Sequence, residues 1–150
     1  MFVCSNNIMQ NNKPAAITIE TTVNASGDKV WESFTEPKHI TQWCQASDDW
    51  HAPYADNDLC VGGAFKTTMA AKDGSFSFDF GGIYTEVKPG QRLAYGMSDG
   101  RKVDIDFIPV ENGIKVRQSF DPESTNPVDM QKAGWQAILD NFKKYTEEGF

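Results

Sequence analysis

The sequence has no long apolar run and no excess of basic residues. No stretch approaches the roughly 20 consecutive apolar residues that a membrane-crossing helix needs, so we predict no membrane span. Its 14 lysines and arginines are outnumbered by 21 acidic residues, which gives a formal net charge of −7. Such a charge repels phosphate backbones and argues against a nucleic-acid partner.

Cysteine is scarce and irregularly spaced, at Cys4, Cys44 and Cys60. An odd number without a regular spacing is typical of free thiols in a reducing compartment. Residues 1–13 have neither the basic start nor the apolar core of a secretion signal. We therefore expect a flexible N-terminal extension over residues 1–13, a single domain over residues 14–150, and a cytoplasmic protein.

The sequence also lacks the residue patterns of common catalytic and metal sites. His39, at the polar start of a predicted helix, is expected to be exposed, which leaves His51 as the plausible general base of its type. No Gly-x-Ser-x-Gly motif occurs, and the glycines at residues 62–63 have the wrong spacing for a phosphate loop. The Asp-rich segment of residues 44–60 lacks the paired ligands of zinc sites and the ligand positions of a calcium loop. We predict no catalytic residue, no metal and no cofactor, and interpret this segment as either a solvated loop or a loop at the mouth of a cavity.

Aromatic residues are abundant, with 10 Phe, 4 Trp and 4 Tyr. Residues 17–23 alternate in the manner of a strand, and the stretch that follows, interrupted by Pro37, predicts two short helices. From residue 62 to residue 121 the apolar side chains recur at every second position between turn signals, which predicts an antiparallel meander with one solvated face. Gly81-Gly82 interrupts the pattern, and we expect a bulge or sharp bend there.

Residues 128–148 carry apolar side chains at helical spacing, among them Trp135, Leu139 and Phe142. This wide, aromatic stripe predicts a helix that lies along a concave sheet. The predicted fold class is α+β, with a curved antiparallel sheet wrapped around a long C-terminal helix and two short helices after the first strand.

Several motifs resemble one known superfamily. The stretch VWESFTEP at residues 30–37, followed by Trp43, resembles the opening of the Aha-like branch of the START-like, birch-pollen-allergen-type helix-grip superfamily. The branch is named for activators of the heat-shock chaperone ATPase. GIYTEVKP at residues 82–89 with RLAY at residues 92–95 resembles a second segment of that branch, and GWQAIL at residues 134–139 resembles its helix motif. The chain is most similar to its short bacterial one-domain members.

The resemblance covers residues 17–148 and implies a helix-grip fold that keeps a gap between the sheet and the long helix. Its motifs are specific to the fold and the branch, and they are not specific to a reaction. The chaperone activators carry a separate N-terminal domain that does most of the chaperone engagement, and residues 1–13 are too short to form it. A chaperone partner therefore stays an alternative that no second domain supports.

The concave face is the remaining candidate site. Strand alternation, the possible mouth loop and the helix stripes give the predicted ligand-binding residues: Trp31, Trp43, Trp50, His51, Phe65, Met69, Phe78, Phe80, Tyr84, Tyr95, Met97, Phe107, Gln118, Phe120, Trp135 and Leu139. These side chains either fill the core or line a ligand cavity. Gln118 is distinctive because an amide on an apolar face needs solvent, a neighbouring side chain or a ligand as its hydrogen-bond partner.

An aromatic face without a catalytic constellation favours the binding of a small apolar or aromatic molecule, without chemistry. The first alternative is an enzyme of the cyclase or hydrolase type that uses the same cavity. It would gain support if a bulge at Gly81-Gly82 turned Tyr84 or Glu86 inward. The second alternative is a chaperone-associated or stress-response interaction protein that meets basic partners through its acidic surface.

Overall fold

The computed structural model describes residues 15–149, so the predicted extension over residues 1–13 lies outside the described residues. In chain order the elements are β1 (Ile17–Val23), α1 (Gly27–Thr35), α2 (Pro37–Trp43), β2 (Trp50–Asn57), β3 (Ala64–Ala71), β4 (Ser77–Lys88), β5 (Arg92–Gly96), β6 (Lys102–Val110), β7 (Gly113–Phe120) and α3 (Val128–Glu148). The predicted α+β helix-grip architecture is confirmed. Over this described range, no helix is long and apolar enough to cross a membrane.

The seven strands form one antiparallel sheet in the order β1-β7-β6-β5-β4-β3-β2. Strands β2 to β7 are a meander, and β1 is added beside β7, where Ile17 pairs with Phe120 and Val23 pairs with Ile114. Along β1 the alternation buries Ile19 and Val23 on the concave face. The period of two therefore sets which face of each strand meets the core.

Helices α1 and α2 are joined at a sharp corner. The side chain of Ser26 caps α1 by accepting a hydrogen bond from the backbone N–H of Lys29 at 3.2 Å. Pro37 begins α2, where its fixed φ suits the first helical position. At the end of α2 the indole N–H of Trp43 donates to the carbonyl oxygen of Ser33 in α1 at 2.9 Å, which fixes the two helices relative to each other.

Helix α3 lies across the concave face and is held by aromatic contacts at two places. Near its C-terminal half, the fully buried ring of Phe142 lies 5.2 Å from that of Phe34 and 5.0 Å from that of Trp43, between centroids. Near its N-terminal half, the ring of Trp135 stacks on that of Phe120 with centroids 3.9 Å apart and planes 8° apart. These contacts join α3 to both short helices and to the end of β7.

The solvated-loop interpretation of residues 44–60 is wrong for the part from Trp50 to Asn57, which forms the edge strand β2. It pairs with β3, with an irregularity between His51 and Tyr54. Pro53 concealed this strand in the sequence, since proline removes a backbone donor and is tolerated in sheets mainly at edges.

The expected bulge at Gly81-Gly82 is also wrong, because the pairing of β3 with β4 continues without a shift across both glycines. The glycines are needed for close approach instead. A Cβ atom on Gly82 would lie 2.7 Å from the carbonyl oxygen of Gly96 on β5. The register shift in β4 lies further on, between Tyr84 and Glu86.

The predicted effect of a shift in β4 is that Glu86 turns inward, whereas the observed shift turns it outward. Tyr84 points inward in phase with Phe80, whereas Glu86 lies on the outer face and its carboxylate accepts a hydrogen bond from Nε of Arg92 at 2.9 Å. The same guanidinium donates to Asp106 at 2.6 Å. Asp104 and Asp106 on β6 both form ion pairs with Arg92 on this outer face, at 3.3 Å and 2.6 Å.

His39 is buried, so its predicted exposure is wrong. Its Nδ1 lies 2.7 Å from the hydroxyl of Tyr145 on α3, and its Nε2 lies 3.2 Å from the carboxylate of Glu32 on α1. The local sequence around His39 is polar, but the last turns of α3 cover it. Tertiary packing that is distant in sequence decides its burial.

The hydroxyls of Ser33 on α1 and Thr146 on α3 form a buried hydrogen bond of 2.7 Å. The substitution Thr146→Val keeps the shape of the side chain but leaves the Ser33 hydroxyl buried without this partner. We expect the free energy of unfolding, measured by urea denaturation, to fall by about 1–3 kcal/mol. The double variant Ser33→Ala/Thr146→Val should lose less than the sum of the single variants, because it leaves no orphaned hydroxyl.

The exposed pair Thr18–Ser119, at 2.9 Å, is the matched control. We expect Thr18→Val to change the free energy of unfolding by less than about 0.5 kcal/mol. If Thr146→Val were as mild as Thr18→Val, the buried hydroxyl pair would not stabilise the contact between α1 and α3.

Candidate ligand-binding cavity

A cavity of about 510 Å³ lies between the sheet, α2 and the N-terminal half of α3. Its walls come from the inward positions of β3, β4, β5 and β7 and from one stripe of α3. The lining is mainly aromatic and aliphatic, because the period of two on the strands and the 3.6 period on the helix turn their apolar sides towards each other. Its volume falls in the range of cavities that bind small molecules.

Twelve of the predicted ligand-binding residues line this cavity. They are Trp43, Trp50, Phe65, Met69, Phe78, Phe80, Tyr84, Tyr95, Met97, Gln118, Trp135 and Leu139. The structure thus brings together residues that lie almost 100 positions apart in the chain. Whether they bind a ligand stays a prediction.

The other four predicted residues do not lie at the cavity wall. Trp31 packs edge-to-face on Phe107, with ring centroids 5.2 Å apart, in the part of the core beneath α1. Phe120 is covered by the ring of Trp135, and His51 is exposed on the outer side of the edge strand β2. Alternation identified the concave face correctly for the two phenylalanines, but it does not distinguish the filled part of that face from the open part.

Some lining residues were missed in the sequence. Leu93 and Ile105 share the inward phase of Tyr95 and of Phe107, so the same alternation could have found them. Phe34, Ile40, Ile138, Gly134 and Gln131 also line the cavity, and the last three belong to the inward stripe of α3. A glycine on such a stripe indicates open space beside the helix. It is missed by a search for hydrophobic periodicity, because glycine has no apolar side chain.

The cavity opens between the start of β4, the first turn of α3 and the segment that follows α2. The lining residues there are exposed: Phe78 to 43% and Met130 to 61%, with Ala46 and Ser47 on the third side. The ring of Trp50 lies edge-to-face against that of Phe78, with centroids 6.0 Å apart. Within residues 44–60, the part from Cys44 to Trp50 lies at this opening, and its role as a mouth stays a prediction.

The polar groups on one wall of the cavity form hydrogen bonds with other residues of the protein. The Tyr84 hydroxyl donates to Oδ1 of Asn57 at 2.7 Å, and Nδ2 of Asn57 donates to the carbonyl oxygen of Thr35 at 2.6 Å. Burial raises the pKa of the Tyr84 phenol to about 12, with the hydrogen bond to Asn57 acting in the opposite direction. Tyr84 is therefore a neutral group whose donor is already used.

Gln131, which also lines the cavity and is buried, donates from its amide to the carbonyl oxygens of Glu123 and Asn126. Besides Gln131, three other buried polar side chains line the cavity: Thr67, Tyr95 and Gln118. None of them forms a side-chain hydrogen bond with another residue in the described range 15–149. Within that range, no buried side-chain nitrogen or oxygen atom is sealed off without a partner. These three side chains therefore present their polar atoms to the open space that they line.

The charged and acidic groups at the cavity are poorly suited to proton transfer. Arg101 and Glu123 are partly exposed, and Nε of Arg101 already donates to Asp99 at 2.7 Å. The buried thiol of Cys44 has its pKa raised by burial to about 12, so it stays protonated. Neither histidine lines the cavity. The arrangement suits the binding of a neutral molecule better than general acid–base chemistry.

A group of potential metal ligands lies outside the cavity. Glu32, Glu36 and His39 have ligand atoms within 4.8 Å of one another. Both ring nitrogens of His39 already have hydrogen-bond partners, and Lys38 lies 3.7 Å from the carboxylate of Glu36. These contacts link α1, α2 and α3, so the group serves the packing of the three helices.

Comparisons with known proteins agree with this fold. The family model described as "Activator of Hsp90 ATPase homolog 1-like protein" matches residues 24–147. The solution structure of an AHSA1-like protein from Aeromonas hydrophila has 44% sequence identity and a TM-score of 0.84, and the match covers 89% of this chain and 92% of that one. A solution structure from Cytophaga hutchinsonii has 56% identity and a TM-score of 0.77, with the same coverage of the two chains.

A crystal structure from Chromobacterium violaceum shares the fold with 23% identity and a TM-score of 0.80, covering 89% of this chain and 99% of that one. No curated protein matches the chain. The resemblance to the Aha-like branch is confirmed by the family model and by the structure from Aeromonas hydrophila. Because the family model covers most of the chain and both solution structures exceed 40% identity, the chain belongs to the activator of Hsp90 ATPase homolog 1-like family.

Proposed function

We propose that this protein binds a small apolar or aromatic molecule in the cavity between its sheet and α3. The observation that carries the proposal is the cavity of about 510 Å³ itself. Protein interiors are close-packed, and an apolar cavity of this size lowers the stability of a fold. A cavity that persists despite this cost indicates a function. Here the space is bounded by aromatic rings and opens to solvent at one end.

Gly134 supports this interpretation. It lies in the interior of α3, where glycine is less favourable than alanine by about 1 kcal/mol. A Cβ atom at this position would meet nothing within 4 Å, so close packing does not require glycine there. Gly134 lines the cavity, and its missing side chain leaves that part of the cavity open.

Binding without chemistry fits the ionisation of the lining groups. Burial keeps the phenols of Tyr84 and Tyr95 and the thiol of Cys44 protonated, because it raises the pKa of each. A cyclase or hydrolase needs a group that titrates near neutral pH at the reacting atoms. We also place the protein in the cytoplasm, in line with the free thiols of Cys44 and Cys60.

Ligand capture tests the proposal. The purified protein is incubated with a mixture of neutral aromatic and aliphatic compounds and is then observed by native mass spectrometry. We expect one molecule to be retained per chain. In the variant Gly134→Phe, whose new ring occupies the open space, we expect the affinity of a retained compound to fall by about tenfold or more, equivalent to about 1.4 kcal/mol.

Ala133→Phe is the matched control, because Ala133 is the neighbouring residue, is exposed and does not line the cavity. We expect it to bind with the affinity of the unaltered protein. Retention of nothing by the unaltered protein, or equal loss in both phenylalanine variants, would contradict a ligand site in this cavity.

A second prediction concerns stability at the same position. Gly134→Ala adds one methyl group to the open space and improves helix propensity, so we expect the free energy of unfolding to rise by about 0.5–1 kcal/mol. Thermal and urea denaturation measure the change. A fall in stability would mean that glycine is required for packing, and would remove Gly134 as support for an open cavity.

A further inference from the structure

Tyr95 and Gln118 are two uncharged polar side chains held without a partner in apolar surroundings. Tyr95 is 6% exposed and Gln118 is 9% exposed, and both line the cavity. Neither side chain forms a hydrogen bond with a residue of the described range. Because no side-chain nitrogen or oxygen atom of the described range is sealed off without a partner, the polar atoms of Tyr95 and Gln118 are accessible from the cavity, and their hydrogen-bond partner must be water or a bound molecule.

Packing fixes the ring of Tyr95, and the strand register fixes the face of the sheet on which Gln118 lies. The ring of Tyr95 lies edge-to-face against that of Phe65, with centroids 4.6 Å apart, and against that of Phe80 at 6.3 Å. Gln118 is paired with Ile105 across the β6–β7 ladder, which puts it under α3. The aromatic rings around Tyr95 fix the direction of its hydroxyl but do not provide it with a hydrogen-bond acceptor.

The two groups lie on different walls of the same cavity. Tyr95 is on β5 and Gln118 is on β7, with β6 between them, so their strands are about 10 Å apart. Leu93 and Ile105, which are also paired across β5 and β6, present an apolar floor between them. A molecule that reaches both groups must therefore have an apolar body between its polar atoms.

The surroundings determine the charge that such a molecule can carry. Burial, the largest cause, raises the pKa of the Tyr95 phenol above its ordinary value, so its O–H stays available as a donor. Among the lining residues, the cationic one is Arg101, which is partly exposed and already bonded to Asp99. A buried carboxylate on the ligand would therefore lose its hydration without gaining a cation.

We propose that the molecule bound in this cavity is uncharged, has an apolar ring-containing body, and carries a carbonyl or hydroxyl oxygen that is held by the Tyr95 hydroxyl, with the Gln118 amide available to a second such oxygen across the apolar floor. This inference rests on the proposed function and names the chemistry of the ligand. Tyr95 donates to the ligand oxygen. Gln118 can donate from its NH₂ group or accept at its carbonyl oxygen, so it accommodates either a carbonyl or a hydroxyl.

The test uses three compounds with one ring system: fluorene, 9-fluorenone, which adds one oxygen atom, and fluorene-9-carboxylate, which adds an anionic group. Dissociation constants are measured by equilibrium dialysis. The unaltered protein should bind the ketone about fivefold more tightly than the hydrocarbon, which is the effect of one net hydrogen bond. It should bind the carboxylate more weakly than the ketone.

The double variant Tyr95→Phe/Gln118→Leu should bind the two neutral compounds about equally, with the change confined to the ketone. Tyr145→Phe is the matched control, because that phenol lies outside the cavity wall and is bonded to His39. It should keep the fivefold ratio. Equal binding of ketone and hydrocarbon by the unaltered protein, an unchanged ratio in the double variant, or tightest binding of the carboxylate would overturn the inference while leaving a ligand cavity in place.

Binding of none of the three compounds, together with failure of the ligand-capture experiment, would overturn the proposed function and this inference with it.

Thermal denaturation without ligand gives an independent readout. Because they replace unpartnered polar groups with apolar ones, Tyr95→Phe and Gln118→Leu should leave the melting temperature unchanged or raise it. Tyr145→Phe should lower it. A lowered melting temperature in the first two variants would assign both side chains to the packing of the fold.

Discussion

The placement of α3 over one end of the sheet is the constraint on which the rest of the structure depends. Phe142 fixes the C-terminal half of the helix through a dense aromatic cluster with Phe34 and Trp43, where ring centroids are 5.0–5.5 Å apart. That end of the concave face is filled. Towards its N-terminus α3 instead presents Gly134 to the sheet, and the stacked pair Trp135–Phe120 holds it at a distance. The filled and the open half of the fold therefore differ in what α3 presents to the sheet along its length.

The architecture was accessible from the sequence because two periods dominate it. Alternation along residues 62–121 and the helical stripe of residues 128–148 are strong local signals, and each strand and helix that they predicted is present. The three wrong predictions, for residues 50–57, for Gly81-Gly82 and for His39, share a different cause, which is contact with residues distant in sequence. The edge strand β2 contains Pro53, the glycine doublet 81–82 serves close approach to β5, and His39 is covered by a helix about 100 residues away. Each depends on a neighbour that is distant in sequence.

The candidate site was predictable to the extent that it follows from strand phase. Phe65, Tyr95 and Gln118 were placed on the concave face by alternation alone, and they line the cavity. Phe107 and Phe120 have the same phase but lie under α1 and Trp135. Sequence periodicity gives the face of a sheet, whereas the boundary between packed core and open cavity depends on where the helices lie. Gly134 marks that boundary, and its signal is the absence of a side chain.

Two features of the cavity oppose stability, and they occur together. A helix-interior glycine is less stable than alanine, and a polar side chain that faces an apolar cavity without a hydrogen bond to the protein adds less stability than an apolar one would. Elsewhere in the described chain, buried hydroxyls such as those of Ser33 and Thr146 are paired, and the Tyr84 phenol, at the cavity's own edge, is bonded to Asn57. The unpartnered groups are therefore confined to the open half of the fold, where Tyr95 and Gln118 face the same space as Gly134. A random accumulation of tolerated defects would have no reason to converge on one cavity, whereas a requirement to admit and orient a neutral molecule accounts for both features at once.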